Sequence, residues 1–197
     1  MNFKPVKAHI LGLLKEGLPA HLTYHRYEHT LDVYEQTKRI AKREGIQDKH
    51  QLQWLKTAAL FHDSGFLYVY QNHEKEGCRL AMEILPDFDY TPFDIEMICG
   101  MIMATKIPQS PRNHLEQILA DADLDYLGRP DFFTIGDTLR QELRHLGIIK
   151  SDQEWDPIQI QFLHSHNYFT RTSIHDRNAK KQVHLQELEA RVAGRSL

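Results

Sequence analysis

A chain of 197 residues, 41% hydrophobic and 26% charged, is sized for one well-buried core and is too short for a comfortable pair of domains. No stretch approaches the roughly 18 consecutive apolar residues of a membrane span, and Met1-Asn2-Phe3-Lys4-Pro5 lacks the start of a signal peptide, so membrane insertion is excluded and a cytoplasmic protein is expected. The net charge of -3 excludes bulk nucleic acid as a ligand, the two cysteines (Cys78, Cys99) exclude a disulfide framework, and 13 histidines stand out as candidates for metal binding.

The periodicity predicts helices throughout and no strand-rich sheet, hence an all-α protein of eight to nine helices. The first runs from about Lys4 to Lys15, with Val6, Ile10 and Leu13/Leu14 at helical spacing and Gly17 and Pro19 as stops. The second spans about Arg26 to Glu44, closed by Gly45, and the third starts after Asp48 as N-cap and ends near His62-Asp63-Ser64-Gly65. A fourth follows from Glu74 to Leu85, and a fifth opens at Thr91-Pro92 and stops before Pro108. The sixth, about Asn113 to Leu127, is apolar almost all round and should be central, yet it carries Asp121, Asp123 and Asp125. Further helices are expected near Pro130 to His145, Pro157 to Phe169 and Asn178 to Ala193, with a hairpin or loop over Gly147 to Trp155. Cys78, Cys99, Trp54 and Trp155 read as packing residues, and the charges Arg171, Arg177, Lys180 and Lys181 as mostly a solvated face.

Three clusters carry potential chemistry. His25 and His29 are four apart and would share a face on a helix. His62-Asp63 follows the apolar run Ala58-Ala59-Leu60-Phe61, where an unpartnered imidazole or carboxylate is costly. The three aspartates of the sixth helix have no solvated face, so at least one should meet a cation.

Taken in order, His29, the His62-Asp63 pair 33 residues on and an aspartate of the sixth helix resemble the His, His-Asp, Asp pattern of the HD superfamily of metal-dependent phosphohydrolases. Tyr24-His25-Arg26-Tyr27-Glu28-His29-Thr30-Leu31-Asp32-Val33 is similar to the Tyr-His-x-x-x-His-x-x-Asp-Val segment of HD proteins and cyclic-nucleotide phosphodiesterases, and Leu119-Ala120-Asp121 to the Leu-Ala-Asp that ends in the last ligand. The resemblance covers about residues 24–128. It implies a single HD-type helical domain over 1–197, with the helices of 130–197 packing on the motif region. It also implies metal ligands at His29, His62, Asp63 and Asp121, although the helical wheel leaves Asp123 and Asp125 open as substitutes for Asp121. Its further implications are His25 as general acid, Asp63 at the catalytic centre, and His73 reaching a second metal or a phosphate. Lys106 near the end of the fifth helix is a weaker candidate for a phosphate.

Such a site would bind one or two divalent ions, with Mn, Fe, Mg, Zn, Co and Ni all compatible with N/O donors. The metal would supply hydroxide at neutral pH for hydrolysis of a small phosphoester, a nucleotide among the candidates, with an imidazole protonating the leaving group. His62-Asp63-Ser64-Gly65-Phe66 departs from the His-Asp-x-x-Glu-Asp pattern of (p)ppGpp hydrolases, and no Gly-Tyr-Pro follows. Competing readings are an H-x-x-E-H zinc metallopeptidase built on His25, Glu28 and His29, an HD-fold di-iron oxygenase recruiting His73, and a non-catalytic metal- or nucleotide-binding regulator.

Overall fold

The computed structural model describes residues 1–194, which form nine α-helices, four short 3-10 turns and no strand. In chain order these are α1 (Phe3–Gly17), α2 (Tyr27–Arg43), α3 (Lys49–Phe61), α4 (His73–Ile84), α5 (Pro92–Ala104), α6 (His114–Asp123), α7 (Phe132–His145), α8 (Trp155–Ser165) and α9 (Arg171–Gly194). No helix among the described residues is long and apolar enough to cross a membrane.

Local chemistry explains several boundaries. Asp48 caps α3 by accepting from the Gln51 amide at 2.8 Å, and Thr91 and Asp94 form a reciprocal capping box ahead of Pro92 at the start of α5. The stretch Gly147–Trp155 is a loop, not a hairpin: Gly147 takes a positive φ and a single 3-10 turn, Asp152–Glu154, leads into α8. That helix ends at Ser165, short of the expected Phe169. The last helix begins at Arg171, seven residues earlier than the periodicity suggests, because the Thr170 hydroxyl accepts from the Ser173 amide at 3.1 Å and starts it.

Two apolar clusters organise the bundle. The larger joins α1 through α6 around fully buried Ile10, Leu55, Leu60, Ile98 and Ile118. The smaller joins Tyr24, the 3-10 turn Asp125–Gly128 and α7–α9 through Leu127, Phe132, Leu163 and Leu188. The two adjoin at the end of α6, where Ala122 belongs to the first and Leu124 to the second. At Gly128 a Cβ would lie 2.3 Å from the Arg177 carbonyl, so only glycine lets α9 cross this close.

The final helix is less solvated than its charges suggest. Lys181 is buried and donates to the His166 carbonyl at 2.5 Å, and Arg177 donates to Asp125 at 2.9 Å, whereas Arg171 and Lys180 are exposed. Of the histidines flanking Ser165, His164 is exposed on Glu189 and His166, in extended backbone just past the end of α8, is buried.

Candidate metal and substrate site

The site forms where α2, the end of α3 and the end of α6 converge. His29 sits in the first turn of α2. Phe61 is the last residue of α3; His62 keeps helical dihedrals (φ -55°, ψ -40°), and the chain leaves helical geometry at Asp63 (φ -105°, ψ 5°). In a continuous helix, consecutive side chains diverge by about 100°; this break is what lets His62 and Asp63 address the same point. Ser64 holds the break by donating to the Phe61 carbonyl at 2.8 Å. Gly65 permits the following close approach, since a Cβ there would lie 2.0 Å from the His73 carbonyl.

The donors face one another closely. His29 Nε2 lies 3.2 Å from Asp123 Oδ1 and 3.4 Å from both Asp63 Oδ2 and His62 Nε2, and His62 Nε2 lies 3.2 Å from Asp63 Oδ2 and 3.5 Å from Asp123 Oδ1. His62 Nδ1 donates to the Ala59 carbonyl at 2.9 Å, so Nε2 is the nitrogen turned into the cluster. Asp63 Oδ2 is buried and makes no aligned hydrogen bond there. Atoms about 2.1 Å from a shared cation stand about 3.0–3.4 Å apart at angles between about 90° and 109°, so this donor set fits a divalent ion.

Electrostatics point the same way. Burial alone would push the Asp63 carboxyl up, but the His62 imidazole, with His25 and His29 nearby, holds it well below the usual carboxylate range. Asp123 is likewise opposed by burial and brought down to about 2 by its hydrogen bonds to His29 and His62. His62 is disfavoured as a cation by burial, yet Asp63 and Asp123 raise it well above an ordinary imidazole. Two ionised carboxylates in a buried pocket present the negative charge that a cation neutralises.

Asp121, which the Leu-Ala-Asp context selected, is not in this cluster. Its side chain is fully buried on another face of α6, where it accepts from the Phe169 amide at 2.9 Å, the Thr170 amide at 2.8 Å and the Thr170 hydroxyl at 2.6 Å. Residues two apart on a helix point about 200° apart, so Asp121 and Asp123 cannot serve one site. Asp125, beyond the helix end, turns a third way and takes Arg39 at 2.6 Å and Arg177 at 2.9 Å. Only Asp123 of the three meets the histidines.

His25 adjoins the cluster but not from a helix, since α2 begins at Tyr27. Its Nδ1 lies 2.5 Å from Glu142 Oε1 of α7, and Glu142 Oε2 accepts from the Tyr24 and His25 amides at 2.9 and 3.1 Å. Burial opposes charge on His25, but the Glu142 hydrogen bond outweighs it with help from Asp63, and the imidazole pKa rises. Glu142 was not foreseen: it stands in a charged stretch of a helix outside the motif, where local pattern reads it as solvated.

His73, at the start of α4, stacks on Phe66 at 3.9 Å and brings Nε2 to 3.5 Å from Asp63 Oδ1. Lys106 does not join: its Nζ donates to Asn72 Oδ1 at 2.9 Å, and it lines a separate depression with Gly100 and Arg112. Glu28 is 64% exposed, pairs with Arg26 and is not among the clustered donors, so the H-x-x-E-H reading lacks a glutamate placed as base beside a metal.

A cavity of about 400 Å³ opens beside the cluster, with His25, Asp63, His73 and Asp123 at one end and α7 and α8 walling the other. The helices beyond the motif therefore form part of the site.

Among curated proteins, none matches the chain in sequence. The fold is similar to the crystal structure of a predicted HD superfamily hydrolase from an uncultured Thermotogales bacterium, with a TM-score of 0.63 at 18% identity over 95% of this chain and 91% of that one. The HD domain family matches residues 26–125, the segment that carries His29, His62-Asp63 and Asp123 in order, and the chain belongs to the HD-domain family.

Proposed function

We propose that the protein is a metal-dependent phosphohydrolase acting on a small phosphoester. The observation that carries this reading is the grouping of His29, His62 and Asp123, whose donor atoms all lie within 4.8 Å of one another, with a buried Asp63 oxygen lacking an aligned hydrogen bond 3.2–3.4 Å from the two imidazoles, at the end of a ligand-sized cavity. These four residues would hold a divalent ion, which would supply Lewis acidity and an activated water at neutral pH. His73 stands within reach of a second ion or of the phosphoryl group.

His25 is the general acid. Glu142 accepts the Nδ1 proton and fixes the ring, so the Nε2 proton is the one available to a departing alkoxide. Against the cost of its burial, the hydrogen bond to Glu142 favours the protonated imidazole. Burial of Glu142 at 0% side-chain exposure prevents water from competing for His25 and keeps the pair oriented.

Metal content of the purified protein, followed by a panel of phosphomonoesters and phosphodiesters with the metal found, tests the reading. Asp63→Ala and Asp123→Ala should each lose metal and activity together; full metal retention in both would overturn it.

A further inference from the structure

We infer, resting on the phosphohydrolase reading, that the substrate carries a single phosphoryl group on an apolar alkyl or aryl body, which the walls from α7 and α8 receive. At about 400 Å³ the cavity lies within the roughly 300–1,000 Å³ of small-molecule sites. Beyond the metal-facing end its walls are Leu127, Phe132, Leu139, Leu143, Ile158 and Phe162. Among the described lining residues there is no Lys or Arg, and the carboxylates present are Asp63, Glu74 and Asp123.

The charge pattern limits the phosphate. A diphosphate or triphosphate tail needs cationic or donor side chains along its length, and here the only source of positive charge is the end that holds the imidazoles and the ion. The walls carry few polar groups besides the Gln159 amide, the Trp155 indole and the Tyr24 and Tyr126 hydroxyls. The Thr105 hydroxyl donates to the Ile102 carbonyl at 2.8 Å. A sugar and base would lie against Leu139, Leu143 and Phe162 with few hydrogen bonds to replace those lost to water, which is costly. An alkyl or aryl body loses nothing there and gains burial.

Calorimetric titration of the metal-loaded full-length protein with methyl-, butyl- and hexylphosphonate, and with adenosine monophosphate, tests this directly. Affinity should rise about fourfold per methylene until the cavity is filled, with an increasingly negative heat-capacity change. Adenosine monophosphate should bind more weakly than hexylphosphonate. Ile158 is 39% exposed at the cavity, so Ile158→Asn should fold and weaken hexylphosphonate at least tenfold more than methylphosphonate; Leu143→Gln should act in the same direction. Equal affinity for methyl- and hexylphosphonate, or tighter binding of adenosine monophosphate, would overturn the inference. Turnover of p-nitrophenyl phosphate without any chain-length dependence would sink the apolar pocket alone. Chain-length-dependent binding without turnover of any phosphoester would support the pocket and refute the hydrolase.

Discussion

Replacing Asp121 separates two roles that sequence context merges. Its carboxylate anchors the segment between α8 and α9 through the Phe169 and Thr170 amides and the Thr170 hydroxyl, and Thr170 in turn caps α9. Asp121→Ala leaves two backbone N–H groups without an acceptor in a buried setting, at about 1–3 kcal/mol each. Part of that loss is offset. Burial pushes the Asp121 carboxyl up, and the hydrogen bonds from Thr170 and Phe169 bring it only part of the way back, so removing the carboxylate also removes a desolvation cost. A net destabilisation of about 2–4 kcal/mol is expected. At about 2–4 °C per kcal/mol for a chain of this size, Tm should fall by about 4–16 °C. Thermal unfolding of metal-free protein gives the stability, and elemental analysis of the folded variant gives the metal. Asp121→Ala should lower Tm and retain metal at low temperature; Asp123→Ala should lose metal with a much smaller change in the metal-free Tm. The reverse pattern, with metal lost from a thermally unchanged Asp121→Ala, would refute the division of roles.

The His25–Glu142 pair supplies the next expectations. Glu142→Gln and His25→Ala should both keep metal while kcat falls by about 10² or more for an alkyl phosphoester and far less for p-nitrophenyl phosphate; equal losses on both substrates would argue against proton donation. The pair should also shape stability against pH. Despite burial, the His25 hydrogen bond lowers the folded pKa of Glu142, so its contribution is present above the ordinary value of 4.5 and disappears as pH falls through the folded value. The folded pKa of His25 is raised, so its contribution is complete below 6.5 and is lost as pH climbs through the folded value. The Tm difference between wild type and Glu142→Gln, measured without metal, should therefore be greatest between those two pH values; a pH-independent difference would count against the pair. Glu28→Gln should change neither metal content nor turnover, given 64% exposure, and abolition of activity with metal intact would revive the peptidase reading. Exhaustive chelation should abolish phosphoester hydrolysis, with recovery on adding back the native metal; full activity after chelation would exclude a metal-dependent reaction.

The sequence by itself determined the helical class, most helix starts and three of the four clustered residues. Those features are local: Asp48, Thr91 and Pro92 act within one turn of themselves, apolar periodicity is a property of a single helix, and His29 with His62-Asp63 matches a linear pattern. What only the tertiary structure decided is which partner each polar residue meets. Asp121, Asp123 and Asp125 are nearly equivalent in sequence, and they diverge because α6 and the 3-10 turn that follows it present them to different neighbours: the start of α9, the histidines, and Arg39 with Arg177. Glu142 lies 117 residues from His25 and bears no local mark of its role, since its significance is a contact made by α7 folding back over the motif. The apolar cavity is of the same kind. Leu139, Leu143, Ile158 and Phe162 are ordinary helix residues until α7 and α8 close over the cluster, and closure depends on long-range packing that no window of sequence contains.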